Sequence, residues 1–422
     1  MKTLVTAVVL LCHTLLSAQH PASVTDIARQ YVDTLAAPGM HGRGYVQCGD
    51  SLAAEWLSAQ FDRIGLEKLD GNRFQPFSFP VNTFPDSVKL RIGGKDLRPG
   101  LDFITDPASG SDHGAFNMLR ITLEDLSVER KTQTWQTLEG RIALLRFPAT
   151  TNRDSLALFA KLAEEVAQHA PVIRQGGAKL TWSVALEALP HAVIELLEGV
   201  MPDTATVAVI NVKNRLIPKH DARNVFGVVR SKKRNAPWVL VTAHYDHLGQ
   251  MGPDAIFPGA NDNASGTAML LCLAEWFKAH PPKANLLFIS FAGEEAGLLG
   301  SSWCAAHPPI DLQRVKLLVN LDLNGTGDDG ITVVNAVEQK KIFDKLVAIN
   351  KRSKDLPQVK PRGPACNSDH CPFAQLGVPS IFIYTMGGVS FYHDVQDRPE
   401  TLPLTKFDGL YRTLVTLIQK LK

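Results

Sequence analysis

The sequence predicts an α/β fold: a mostly parallel or mixed sheet with helices on both faces, carrying a smaller inserted domain. Three observations lead there. Residues 238–242, 286–291 and 316–322 are apolar, β-rich runs without alternation, the texture of strands buried on both faces. Stretches at helical spacing separate or follow them, above all 265–280, 338–353 and 405–421. Between 85 and 219 the texture shifts to short strand-like and helical pieces.

Residues 1–18 hold one Lys, then an apolar run from Leu4 to Leu16, then Ser17-Ala18. This reads as a signal peptide removed on export, giving a secreted or periplasmic protein. The run is too short for a membrane span, and nothing later is long enough to cross a bilayer. Bulky residues before Cys12 disfavour a lipoprotein anchor. Helices are expected over 20–36 and 49–64. The second has Asp50 or Ser51 as N-cap, Gly65 as stop, and Leu52, Trp56, Leu57, Phe61 and Ile64 as its inward stripe. The HGRGYVQCGD segment between them, with His41 and Arg43, reads as a structural turn.

In the middle region, 87–97 reads as a hairpin around Gly93-Gly94 and 138–149 as a strand. Residues 155–175 read as helix, 178–184 (AKLTWSV) as a strand, and two further pieces follow at 191–201 and 205–214. The His and acidic residues here lack metal-ligand spacing and read as surface. Residues 222–231 return to the main sheet, and Pro281-Pro282 stops the helix at 265–280. The last helix turns Phe407, Leu410, Leu414, Leu417 and Ile418 inward. The boundaries that result are 1–18 for the signal, 20–84 with 220–422 for the main domain, and 85–219 for the insert.

The 422 residues are 45% hydrophobic and 20% charged, ordinary globular composition with length for two domains. A net charge of +2 with no Lys/Arg stripe carries no nucleic-acid footprint, and SKKR at 231–234 reads as a solvated turn. Six cysteines form no disulfide framework; Cys272 reads as a core residue, and Cys366 and Cys371 either bridge or stay as two thiols. Oligomeric state has no signature in the sequence.

Polar residues just past the carboxyl ends of strands in such sheets are where ligands bind. The first run ends in His244 and Asp246, the next in Glu294-Glu295, and the third in Asp322. Asp262 sits in a GANDNASG turn that opens a helix, and His393 in a polar loop after the strand PSIFIYT. A carboxylate two residues from a histidine can hold its imidazole tautomer and improve it as a metal ligand. Paired glutamates offer one metal ligand and one proton carrier. His244, Asp262, Glu295, Asp322 and His393 are five donors, too many for one tetrahedral zinc. With one carboxylate bridging, they suit two ions about 3.5–4 Å apart.

Together these motifs resemble the co-catalytic zinc peptidases of the M28 family, the aminopeptidase and glutamate-carboxypeptidase type, over 224–421. The resemblance implies the zinc-dependent exopeptidase (phosphorylase/hydrolase-like) fold and two zinc ions acting on a peptide substrate, most naturally as an aminopeptidase. It implies that Asp262 bridges while His244, Glu295, Asp322 and His393 complete the pair; spacing leaves open which ligand serves which ion. Asp246 would support His244, Glu294 act as general base and acid, and Tyr392 donate to the oxyanion. Ser368, Asp369 and His370 would line the site. The middle region resembles, more weakly, the protease-associated (PA) domain inserted in many M28 enzymes.

Two rivals share parts of this pattern. A glutaminyl cyclase has the same fold, HYD and the GEE pair with a single zinc, but departs from GANDNASG. A non-catalytic receptor-like ectodomain would have lost ligands, and here all five and Glu294 are present.

Overall fold

A computed structural model describes residues 23–147, 150 and 152–421. The expected signal segment, with Cys12, lies outside the described residues. The chain enters through α1 (Val24–Leu35), α2 (Gly49–Ile64) and β1 (Phe74–Thr83). It then builds β2 (Val88–Ile92), β3 (Lys95–Leu97), β4 (Phe103–Thr105), β5 (Asp112–Ile121), α3 (Lys131–Thr137), β6 (Arg141–Leu145), α4 (Arg153–Val166), β7 (Val172–Gln175), β8 (Val193–Leu196) and β9 (Val207–Val212). The long β10 (Arg215–Val229) leads to β11 (Trp238–His244), the β12 (Gly249–Met251) and β13 (Ala255–Phe257) hairpin, α5 (Gly266–Ala279), β14 (Asn285–Phe291) and α6 (Leu299–Ala306). The chain ends with β15 (Val315–Leu321), β16 (Gly330–Val334), α7 (Lys340–Ser353), β17 (Val359–Pro361), α8 (His370–Gln375), β18 (Ser380–Met386) and α9 (Phe407–Gln419).

The main sheet runs β1-β10-β14-β11-β15-β18-β16-β17. Its four central strands, β14, β11, β15 and β18, are parallel, with antiparallel neighbours on either side. Every residue of β11 and β14 is buried, which is why these runs show no alternation. One face packs against α1, α2, α5, α7 and α9 through residues such as Leu57, Leu271, Leu346 and Leu414; the other packs against α6 and α8 through Cys304 and Phe373. The mixed sheet with helices on both faces is as the sequence predicts.

A second sheet, β3-β2-β9-β5-β6-β7-β8-β4, is formed wholly within 88–212. The core on one of its faces, around Phe103, Ile142, Ile194 and Ile210, is continuous with Leu248, Met251, Ala255 and Phe257 around the β12–β13 hairpin, and a second cluster around Leu145, Val166 and Val172 covers the other face. The N–H of Thr105 meets the sulfur of Met251 at 3.2 Å, and Gly252 donates to the carbonyl of Phe84 at 2.9 Å. The second sheet therefore shares buried surface with the β12–β13 hairpin.

Local expectations fail in three places. Helix α2 begins at Gly49, after Cys48 in the left-handed region (φ 59°), so neither Asp50 nor Ser51 is the N-cap. Asp50 is buried in the first turn and accepts from His220 Nε2 at 2.7 Å. The stretch 155–175 is helix only to Val166; Pro171, lacking an N–H, precedes strand β7. AKLTWSV forms no strand. Its backbone groups pair outside the second sheet, with consequences described below.

Candidate metal centre

The carboxyl ends of the four central parallel strands meet at one place. His244 ends β11, Glu294 and Glu295 follow β14, Asp322 follows β15, and His393 lies in the loop after β18. Asp262 comes from the turn before α5, in which the Asp262–Asn263 peptide is cis. All five expected ligands come together. His244 Nε2 is 3.3 Å from Asp262 Oδ1 and 3.3 Å from Asp322 Oδ1. His393 Nε2 is 3.4 Å from Asp262 Oδ2 and 3.1 Å from Glu295 Oε2. By these distances His244 groups with Asp322, His393 groups with Glu295, and Asp262 offers one oxygen to each group.

These separations test whether an ion fits. Two donors about 2.0–2.1 Å from a tetrahedral zinc lie about 3.3–3.4 Å from each other. His244 Nε2 and Asp322 Oδ1 are buried and have no hydrogen-bond partner among the described residues, a costly state that a cation relieves. His244, Asp262 and Asp322 each place a donor atom within 4.8 Å of the others. The donor set of imidazole and carboxylate suits zinc.

The surrounding residues fix these groups. Ser368 Oγ donates to Asp322 Oδ2 at 2.9 Å, Asn320 donates to Ser368 at 2.7 Å, and Thr242 donates to Asn320 at 2.7 Å. Asp397 accepts from the N–H groups of Asn261 (2.8 Å) and Asp262 (3.0 Å), pinning the Asp262 turn. Arg43, fully buried, donates to the carbonyls of Leu35, Tyr245, Pro258 and Gly259 at 2.7–2.8 Å, tying the N-terminal segment to the loops that carry the ligands. A Cβ at Gly44 would sit 2.4 Å from Gly249 Cα, so only glycine permits this close approach.

Asp246 differs from expectation. His244 Nδ1 donates to its backbone carbonyl at 3.1 Å, while the nearer carboxylate oxygen is 3.8 Å away. The carboxylate instead accepts from the N–H groups of Glu294 (3.2 Å) and Glu295 (3.3 Å) and from the Tyr45 hydroxyl (2.8 Å). It shapes the Glu-Glu turn. Ser368 hydrogen-bonds the expected ligand Asp322, and the buried Asp369 carboxyl acts on Glu294 through its charge. His370 opens α8 and lines a separate cavity of about 410 Å³ behind it. Cys366 and Cys371, on the rim of that cavity, form a disulfide.

One histidine escaped sequence reasoning. His247, fully buried, donates Nδ1 to Glu295 Oε1 at 2.7 Å, so two imidazoles grip one carboxylate. His247, Asp262 and Glu295 also place donors within 4.8 Å of one another. Its spacing of three residues from His244 was the available signal.

The adjacent glutamates are driven apart. Burial pushes the Glu294 carboxyl well above the carboxylate range; His244 opposes this, while Glu295, Asp369 and Asp322 add to it. Burial works the same way on Glu295, but the His393 and His247 imidazoles outweigh it and hold that group at about 2. Neighbouring groups separated in this way divide into a proton carrier and a permanent anion. Burial also lifts Asp246 to about 6.

A cleft of about 320 Å³ opens onto this cluster, lined by Asp262, Glu294, Asp322, Leu323, Arg362, Phe382, Tyr384, Tyr392 and His393 among others. Tyr392 stacks on the His393 ring at 4.0 Å. Tyr384 supplies a second phenol, which accepts from Arg362 at 3.4 Å.

Residues 224–418 match the model of peptidase family M28. The chain is 28% identical to aminopeptidase YwaD of Bacillus subtilis, over 82% of this chain and 75% of the relative. Its fold is that of BSAP, a zinc aminopeptidase from Bacillus subtilis, with a TM-score of 0.69 at 20% identity over 95% of this chain and 96% of the other. A peptidase M28 precursor from Shewanella amazonensis superposes with a TM-score of 0.64 at 16% identity, covering 95% and 98% of the two chains. With the match lying over the very strands that converge on the cluster, residues 224–418 form a peptidase family M28 domain, that of a hydrolase of peptide bonds.

Proposed function

We propose that this protein is an exported di-zinc aminopeptidase that removes amino-terminal residues from peptides. The observation that carries the reading is Asp262: its two oxygens face two different imidazoles, at 3.3 and 3.4 Å. A carboxylate so placed can bridge two ions. His244 and Asp322 would hold one, Glu295 and His393 the other. Bound there, the ions would lower the pKa of a water and polarise the scissile carbonyl.

The protein's own groups do the rest. Glu294, whose Oε2 is 3.9 Å from His244 Nε2, stands at the cluster without being needed as a ligand. Its elevated pKa suits it to take a proton from the attacking water and pass it to the leaving amine. Asp246 keeps Glu294 in place through its backbone N–H. Tyr392 and Tyr384 are the phenols available to the oxyanion.

We also read 85–219 as a PA-type insert in a catalytic domain of 20–84 and 220–422; the confinement of the second sheet to 88–212 supports that division. Export is supported by the leader-like pattern of residues 1–18 and by the Cys366–Cys371 disulfide, a bond favoured in oxidising compartments. No helix among the described residues is long and apolar enough to cross a membrane.

The test is product analysis on a mixed peptide set, alongside Glu294→Gln. Stepwise loss of amino-terminal residues is expected. The variant should lose about 10²–10⁴-fold in kcat while retaining its metal. Loss of ammonia from an amino-terminal Gln peptide would point instead to a cyclase, and turnover by the variant would remove Glu294 from its role.

A further inference from the structure

Residues 178–184 carry the insert to the candidate metal centre. Instead of joining the second sheet, this segment crosses to the His393 loop. His393 Nδ1 donates to the carbonyl of Trp182 at 2.8 Å, and the N–H of Trp182 donates to the carbonyl of His393 at 3.1 Å. Lys179 Nζ donates to the carbonyl of Ser390 at 2.9 Å. Val395, two residues on, packs against the insert's core, so tightly that a Cβ at Gly100 would lie 2.6 Å from its methyl.

The indole of Trp182 anchors this bridge. It is buried, its Nε1 donates to the carbonyl of Thr105 at 3.0 Å, and its ring stacks on Phe257 at 4.7 Å. Thr105 belongs to the insert and Phe257 to the main domain, so the ring is wedged between them. His393 itself has φ 53°, a conformation non-glycine residues adopt only when their surroundings impose it. Tyr392 stacks on the outer ring face, and the acceptor for the Nδ1 hydrogen comes from Trp182.

A metal-ligating histidine characteristically gives its other ring N–H to a carbonyl or carboxylate, which fixes the tautomer and aims the free nitrogen. His244 obtains that acceptor from Asp246, two residues away in the same strand end. His393 obtains it from the other domain. We propose that Trp182 is a positioning residue: the inserted domain, through its carbonyl and indole, completes the Glu295–His393 half of the metal site and leaves the His244–Asp322 half untouched. This rests on the two-ion reading above, and the test keeps the two claims apart.

Zinc binding to metal-stripped protein would be followed by calorimetry, with cobalt absorption as a spectroscopic check, for the unsubstituted protein, Trp182→Ala and Trp182→Phe. Trp135→Ala, in the insert's far core beside His169, controls for loosening of the insert in general. In Trp182→Ala one of two ions should weaken about 10–100-fold while the other keeps its affinity, with a changed cobalt spectrum. Trp182→Phe keeps the stack but loses the bond to Thr105, and should weaken the same ion by a smaller factor; it also serves if the alanine variant does not fold. Trp135→Ala should leave both ions unchanged. Equal weakening of both ions by the Trp182 variants, no weakening, or the same loss in Trp135→Ala overturns the proposal. Failure of the unsubstituted protein to bind two ions overturns the metal reading on which it rests.

Discussion

The two halves of the candidate metal centre are built in different ways. The His244–Asp322 half comes from the ends of β11 and β15, adjacent parallel strands joined in register from Val239 and Leu317 onward. Its supporting hydrogen bonds, Thr242 to Asn320 to Ser368 to Asp322, run through the same sheet and the start of α8. The Glu295–His393 half comes from loops. Glu295 hangs on a backbone bond to Asp246 and on His247, and His393 on the carbonyl of Trp182. A parallel sheet fixes its strand ends by its ladder, so ligands placed there need little help. Ligands on loops need partners from elsewhere in the chain, and His393 finds one in Trp182, 211 residues away.

Substitutions should separate the halves, and the largest effect should come from the residue they share. Asp262→Asn removes one bridging charge from both; bound zinc and peptide hydrolysis should both collapse, read by metal analysis and initial rates. His393→Ala should next cost the loop-built half alone, leaving one ion bound in equilibrium dialysis and activity strongly reduced. If both ions disappear, the halves are not independent. Ser368→Ala strips a partner from Asp322, and from Asn320 behind it, and should weaken one ion about 10–100-fold, the opposite ion to that affected by the Trp182 variants. Competition with a chelator would show it. The smallest effect belongs to Tyr45→Phe, which deletes one of the bonds holding Asp246. A net hydrogen bond is worth about 0.5–1.5 kcal/mol, so kcat should fall roughly 2- to 12-fold with both ions in place.

The sheet-built half was the legible one. His244 and Asp322 end apolar runs whose burial on both faces leaves a plain mark in the sequence, and Glu294-Glu295 does the same for β14. Asp262 and His393 were reached through the resemblance and the polar loops that hold them. The supports were not legible, for a physical reason. Arg43, Tyr45, His247 and Asp397 act through isolated contacts to groups up to 219 residues away, and such contacts have no period. AKLTWSV shows the converse. Its composition is that of a strand, but its hydrogen bonds go to His393 and its neighbours rather than to a sheet, and only the tertiary structure can reveal that. Asp246 lies between these cases: its place beside His244 was foreseen, whereas its grip on the Glu-Glu turn depends on how β11 and β14 end side by side.

The central claim is that five side chains hold two ions across Asp262. Native mass spectrometry of the purified protein, after equilibration with buffered zinc, counts them directly. Two zinc ions per chain are predicted; one ion, or none, would contradict the account.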